Sequence, residues 1–208
     1  MKELWLDTSM LRRWNLRLDT AEADKFFNFC EEWELRILLP EVVLSELVQH
    51  YVREATAKLQ AVDRSIRDVA ALEIPVAEGP VARPPADLTS HYRKLLERRC
   101  AERSITIFPV VEVPTERLLD MSVRRIPPFS GDKGERGLHD VLLVFSMLEY
   151  ARQNKRDRLD LISGDRIFRD ESVQALATRA GVRLSVHESV DAFIAHLNRP
   201  SSFPGERW

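Results

Sequence analysis

The sequence predicts an α/β fold of three layers, αβα, with a central, mostly parallel sheet and an added helical arm. Three observations carry that reading. Short apolar segments alternate with helical ones along the chain. Two apolar segments run directly into an acid, Asp7 and Asp165. One helical stripe, from Leu44 to about Leu72, continues longer than a compact domain of 208 residues needs.

Residues 2–7 read as a strand ending at Asp7, and Asp7, Thr8 and Ser9 are cap residues for a helix carrying Met10, Leu11 and Trp14. Asp19 or Thr20 caps the next helix, whose buried side is read as Phe26, Phe27, Phe29, Cys30 and Trp33. Residues 36–40 form a second strand, closed by Pro40 at the start of a helix. In that helix Leu44, Val48, Tyr51, Ala55, Leu59, Val62, Ile66 and Val69 recur every three or four residues. It would span roughly 45 Å, so its far half should project or meet a partner helix. A Pro-rich loop follows over 75–86, then a helix from Asp87 or Thr89 to about Arg103.

Residues 105–113 are strand-like, with Pro109 marking an edge or a break. Thr115 and Glu116 open a helix to Arg125 with Leu118, Leu119 and Met121 as its apolar residues. The loop 126–137 leads onto an apolar helix in which Leu138, Val141, Leu142, Phe145 and Leu148 recur at helical spacing. Residues 159–163 are a strand ending at Gly164 and Asp165, with Phe168 anchoring the turn. A helix from Asp170 stops at Gly181, and a last strand and a last helix follow. The expected organisation is one domain over 1–198, with a helical insertion at about 55–104 and a tail at 199–208.

Composition narrows the function classes. Apolar residues make up 44% and charged residues 31%, an ordinary globular balance. The net charge of −2 does not mark an obligate nucleic-acid binder. Arg152, Lys155, Arg156 and Arg158 read as a solvated face with cations at a helix C-terminus. Cys30 and Cys100 have no partner spacing, so zinc is disfavoured and reduced core thiols are expected. A signal segment and an apolar run near 20 residues are lacking, which points to the cytoplasm and away from a membrane.

The chemistry rests on acids. In an open α/β sheet, ligands bind beyond the carboxyl ends of the strands. Asp7 and Asp165 lie at such ends, Asp140 opens a helix, and Glu46 lies early in the helix leaving the second strand. Each has a plainer role available: Asp7 as a cap, Asp140 for the helix dipole, Asp165 as a turn residue, Glu46 as a solvent-facing helix residue. Gathered together, four carboxylates repel unless protonated or bound to cations, and all-oxygen ligands select Mg²⁺ or Mn²⁺. Such ions activate water and stabilise charge on a phosphoryl group. His139 is read as structural, and the other histidines as forming no site.

Four short motifs carry a resemblance: LDTS at 6–9, the Glu46 helix, GLHDVLL at 137–143 and LISGDRIF at 161–168. Together they resemble the acidic stations of a PIN-domain nuclease, in a larger variant than minimal VapC-type toxins. The resemblance implies a Mg²⁺- or Mn²⁺-dependent endonuclease acting on RNA, with DNA left open. Asp7, Glu46, Asp140 and Asp165 would be the catalytic metal ligands, supported by Ser9 and Ser163. It also brings an antitoxin or inhibitor protein into view as a partner, while the apolar arm suits a homodimer. Lys133, Arg136 and Arg166 are added as phosphate contacts, with solvated charge as the alternative reading. The competing function is a catalytically silent PIN-like module that binds protein or RNA. An aspartyl-phosphate phosphatase is a third reading, but it needs a second Asp where Ser9 stands.

Overall fold

The computed structural model describes residues 2–73, 85–129 and 137–198. Five parallel strands form its sheet: β1 (Lys2–Leu6), β2 (Leu35–Pro40), β3 (Ile105–Phe108), β4 (Arg158–Ile162) and β5 (Arg183–His187). Their spatial order is β3-β2-β1-β4-β5. β1 is central, and its Leu4, Trp5 and Leu6 are fully buried, as expected for a parallel strand covered on both faces. β3 has four residues at one edge and stops before Pro109, which could not donate to a further ladder bond.

Helices α1 (Thr8–Arg13) and α2 (Ala21–Glu32) join β1 to β2. Helices α3 (Glu41–Ala70) and α4 (Leu88–Glu102) lie between β2 and β3. Helices α5 (Thr115–Val123) and α6 (Leu138–Gln153) carry the chain from β3 across to β4. A short 3-10 turn (Arg166–Arg169) and α7 (Glu171–Arg179) precede β5, and α8 (Val190–Leu197) follows it. Side-chain caps start several of these helices. Thr20 accepts from the Ala23 N–H, Asp87 from Ser90, Asp170 from Ser172 and Ser189 from Ala192. Each such cap is worth about 1 kcal/mol.

α6 differs from the amphipathic helix its spacing predicts. Val141, Leu143, Val144, Phe145, Ser146, Met147, Tyr150 and Ala151 are all buried, so nearly every side is covered. It serves two cores. Leu143, Val144, Met147, Tyr150 and Ala151 join the main one, while Val141 and Phe145 join a smaller one with Met121 and Phe129. Tyr150 meets Trp5 and Phe108 edge-on, with ring centroids 5.1 Å away in both cases. Leu138, expected on the apolar face, is instead 40% exposed at the helix's first position. Leu119 is likewise exposed, because α5 buries only Met121. Trp33 also lies outside the core: it sits at the C-cap of α2, stacks on Phe29, and has the Lys2 ammonium over its ring.

The long stripe forms one 30-residue helix, α3. Its buried residues, Val42, Val43, Leu44, Leu47 and Val48, all fall in the first two turns or so. α4 packs along it, with Arg93 paired to Glu41 at its start and Tyr92 stacked on Tyr51 just past the buried turns. Beyond that the helix projects, and Val62 and Val69 are exposed. Both alternatives for this helix are thus realised, on successive parts of it. Among the described residues, no helix is long and apolar enough to cross a membrane. Cys30 and Cys100 are free and buried, and burial pushes both thiols up to about 12. Three of the four cations at the end of α6 and after it are paired: Arg152 with Glu149, Arg156 with Glu3, Arg158 with Asp160.

Candidate acidic active site

The strand order creates the site. From β1 the chain moves to β2 and β3 on one side, then returns to β4 on the other side of β1. Loops leaving the carboxyl ends of β1 and β4 therefore diverge, and a crevice opens between them. Asp7 follows β1, and Ser163 to Asp165 follow β4. The Asp7 N–H donates to the Ile162 carbonyl at 3.2 Å, so the two strand ends are tied where the acids emerge.

Asp7 is 7% exposed, and donors surround it. The Thr8 N–H donates to its Oδ1 at 2.7 Å. The Ser9 hydroxyl (2.7 Å) and the fully buried Ser163 hydroxyl (2.8 Å) donate to its Oδ2. Ser9 Oγ in turn accepts from the Gly164 N–H at 3.2 Å, and Ser163 Oγ from the Asp165 N–H at 3.0 Å. The two serines predicted as supports therefore lock the Asp7 carboxylate to the turn that carries Asp165. Burial still raises the Asp7 carboxyl above its usual range, opposed by these hydrogen bonds and assisted by the charge of Glu46.

Glu46 is half-buried in the second turn of α3. Its Oε2 accepts from the Thr8 hydroxyl at 2.6 Å. Thr8 is buried, and it holds two of the acids, Asp7 through its backbone N–H and Glu46 through its side chain. Sequence reasoning missed it. The only signal was a hydroxyl beside the first acid, whereas its partner lies 38 residues away.

Asp140 sits in the first turn of α6. Gly137 fixes where that helix begins: its φ is +119°, and a Cβ there would lie 2.4 Å from the Pro128 carbonyl oxygen. Only glycine lets the backbone approach so closely. Burial, with the charges of Asp7, Asp165 and Glu46, pushes the Asp140 carboxyl up to about 7. Asp140 thus lies within range of the charge of all three other predicted acids, and Asp7 within range of that of Glu46. Asp165 is exposed, and its Oδ1 caps the 3-10 turn by accepting from the Ile167 N–H at 3.0 Å. The plainer roles read for Asp7, as a cap, and for Asp165, as a turn residue, are therefore real and coexist with their nearness to Asp140. Among the described residues, none of the four acids is in an ion pair with an arginine or lysine.

The donor set is entirely oxygen, and Asp140, raised to about 7 first by burial and then by the three nearby carboxylates, stands in a place where a cation would relieve the repulsion. Among the described residues, no three His, Cys, Asp or Glu side chains are already arranged to hold a metal ion. Glu46 is turned to Thr8 and Asp165 to its own turn.

Arg166 is exposed on the 3-10 turn beside Asp165. Lys133 and Arg136 lie outside the described residues, as do Asp132 and Glu135. His139 is exposed on α6. His187 pairs with Asp160 at 2.8 Å, away from the acids, while its backbone carbonyl accepts from the Ser163 N–H.

No curated protein and no solved structure gives a significant match to the chain. A family profile described as PIN domain matches residues 4–168, which span β1 through the turn after β4 and contain all four acids. The chain belongs to the PIN-domain family, whose members are in general metal-dependent nucleases.

Proposed function

We propose that this protein is a divalent-metal-dependent endonuclease that hydrolyses phosphodiester bonds in RNA. The supporting observation is the raised Asp140 carboxyl, held at about 7 by burial and by three other carboxylates without a balancing arginine or lysine among the described residues. Asp7, Glu46, Asp140 and Asp165 would hold Mg²⁺ or Mn²⁺, which when bound supplies Lewis-acid activation of water and charge stabilisation at the phosphoryl group. Ser9 and Ser163 keep the Asp7 carboxylate oriented, and Thr8 keeps Glu46 in reach. To hold an ion Asp140 would have to give up its proton, so metal uptake near neutrality would be accompanied by proton release. Arg166 is suited to a substrate phosphate, and Lys133 and Arg136 are assigned the same role.

The substrate preference for RNA, a toxin-like role with an inhibitor protein, and a cytoplasmic site of action belong to the same proposal. So does the organisation as one domain over 1–198 with a helical insertion.

Cleavage of mixed RNA and DNA substrates with Mg²⁺ or Mn²⁺, lost in EDTA, is the expected result. No cleavage of either nucleic acid in either metal would remove the proposal. The alternative is a PIN-like module without catalysis. It draws on the fact that, among the described residues, no three acid, histidine or cysteine side chains are already arranged to hold an ion, while Glu46 and Asp165 each spend an oxygen on a hydrogen bond. Calorimetry separates the two, because the module reading expects no heat of Mn²⁺ binding.

A further inference from the structure

Beside the acids lies a row of rings that the acid chemistry does not use. His50 is one helical turn after Glu46 on α3, hence on the same face. Its ring meets Tyr51 edge-on at 5.2 Å between centroids. Tyr51 stacks on Tyr92 of α4 at 5.9 Å and 30°, and Tyr92 meets His91 at 5.3 Å. The first three rings are half-buried, with Tyr51 and Tyr92 packed on the main core by their inner sides, and the last is exposed, so it is their outer edges that solvent reaches. Arg12 of α1, exposed on the flank of the row, lies close enough for His50 and Tyr51 to feel its charge. No carboxylate among the described residues pairs with it.

We propose that Arg12, His50, Tyr51 and Tyr92 form a track for single-stranded nucleic acid leading to the acidic site, a deepening that rests on the nuclease reading. A planar guanidinium suits phosphate, and ring faces and edges suit bases of any sequence. The cation also answers an electrostatic need. A cluster of acids repels an incoming polyanion, and a positive charge on its flank offsets that repulsion where the strand arrives. Burial and the neighbouring Arg12 hold the His50 imidazole below its usual range, so at neutral pH it offers an N–H to phosphate and not a charge. Glu54, 3.8 Å from His50 and paired with Lys58, marks the acidic edge of the track.

The test is fluorescence anisotropy of a labelled oligouridylate across a salt series, on the Asp140→Asn background so that the strand survives. Arg12→Ala should weaken binding about tenfold, the value of a charged hydrogen bond. It should also reduce the salt slope by ~0.7, one phosphate contact on a single strand. His50→Gln should weaken binding less and leave the slope unchanged. Arg64→Ala, on the far half of α3, should change neither. Wild-type affinity and slope in a folded Arg12→Ala protein would overturn the track, as would Arg12-dependent capture of polyglutamate with no binding of oligouridylate. If the native protein cuts nothing yet binding depends on Arg12, the nuclease reading falls and the track stands. If it cuts RNA and Arg12→Ala leaves KM unchanged, the track falls and the nuclease reading stands.

Discussion

Asp7 and Asp140 occupy the same cluster but are held in opposite ways. Asp7 is clasped by one backbone N–H and two serine hydroxyls, and its geometry is set before any ion arrives. Asp140 has no hydrogen-bond partner among the described residues, and its position is set by packing of the helix that carries it. Burial raises both carboxyls, yet hydrogen bonds oppose the rise at Asp7 and nothing opposes it at Asp140. The β1–β4 half of the site is therefore preorganised, and the α6 half is electrostatically unrelieved. The metal would be bound by the first and required by the second.

Exchanging the unrelieved acid should have the largest effect. Asp140→Asn should cut the cleavage rate by at least ~100-fold, since even partners behind a ligand cost 10–100-fold. The same variant should be more stable than wild type in EDTA above pH 7. The sign follows from linkage. The folded-state carboxyl binds its proton up to about 7 while the unfolded chain releases it near 3.8, so this group loses stability as pH rises between those values. Thermal melts of both proteins between pH 5 and pH 8 measure it: the advantage of the variant should grow as pH rises through that range and level off above about 7, and equal melting temperatures at pH 8 would contradict the unrelieved state.

Loosening the preorganised half should do less. Ser163→Ala removes a buried hydroxyl that serves Asp7 and the Asp165 N–H, and should cost about 1–3 kcal/mol in urea unfolding. Thr8→Val should lower kcat about tenfold with the fold intact, and Thr8→Ser should restore it. A Thr8→Val enzyme of full activity would show that Glu46 needs no holding.

Gly137→Ala tests whether packing alone places Asp140. The substituted Cβ meets the Pro128 backbone in a left-handed conformation, which should cost ~1–3 kcal/mol and weaken Mn²⁺ binding in calorimetry. Unchanged metal affinity would separate the start of α6 from the site. At the other extreme, Leu72→Ser in the turn just past α3 should shift stability by less than about 0.5 kcal/mol, because that side chain is 70% exposed.

Much of this was legible in the chain because the signals are local. Apolar runs, caps and turn residues placed every strand and nearly every helix, and three of the acids stood out because each followed a strand or opened a helix, with Glu46 early in the helix after β2. The misplaced faces, Trp33, Leu119 and Leu138, sit at or near helix ends or on a short helix, where periodicity does not say what covers a side chain. For α6 the periodicity registered one buried face where packing covers almost all of them.

The sequence by itself determined the elements, their order and the supply of four carboxylates. Tertiary structure decided that β4 returns beside β1, that Thr8 reaches Glu46 and that Asp140 is driven up by its neighbours. Caps and periodicity act over a few residues and are written into local residue types. Hydrogen bonds between residues 38 and 156 positions apart, and a carboxyl's response to surrounding charge, exist only once the chain has closed on itself.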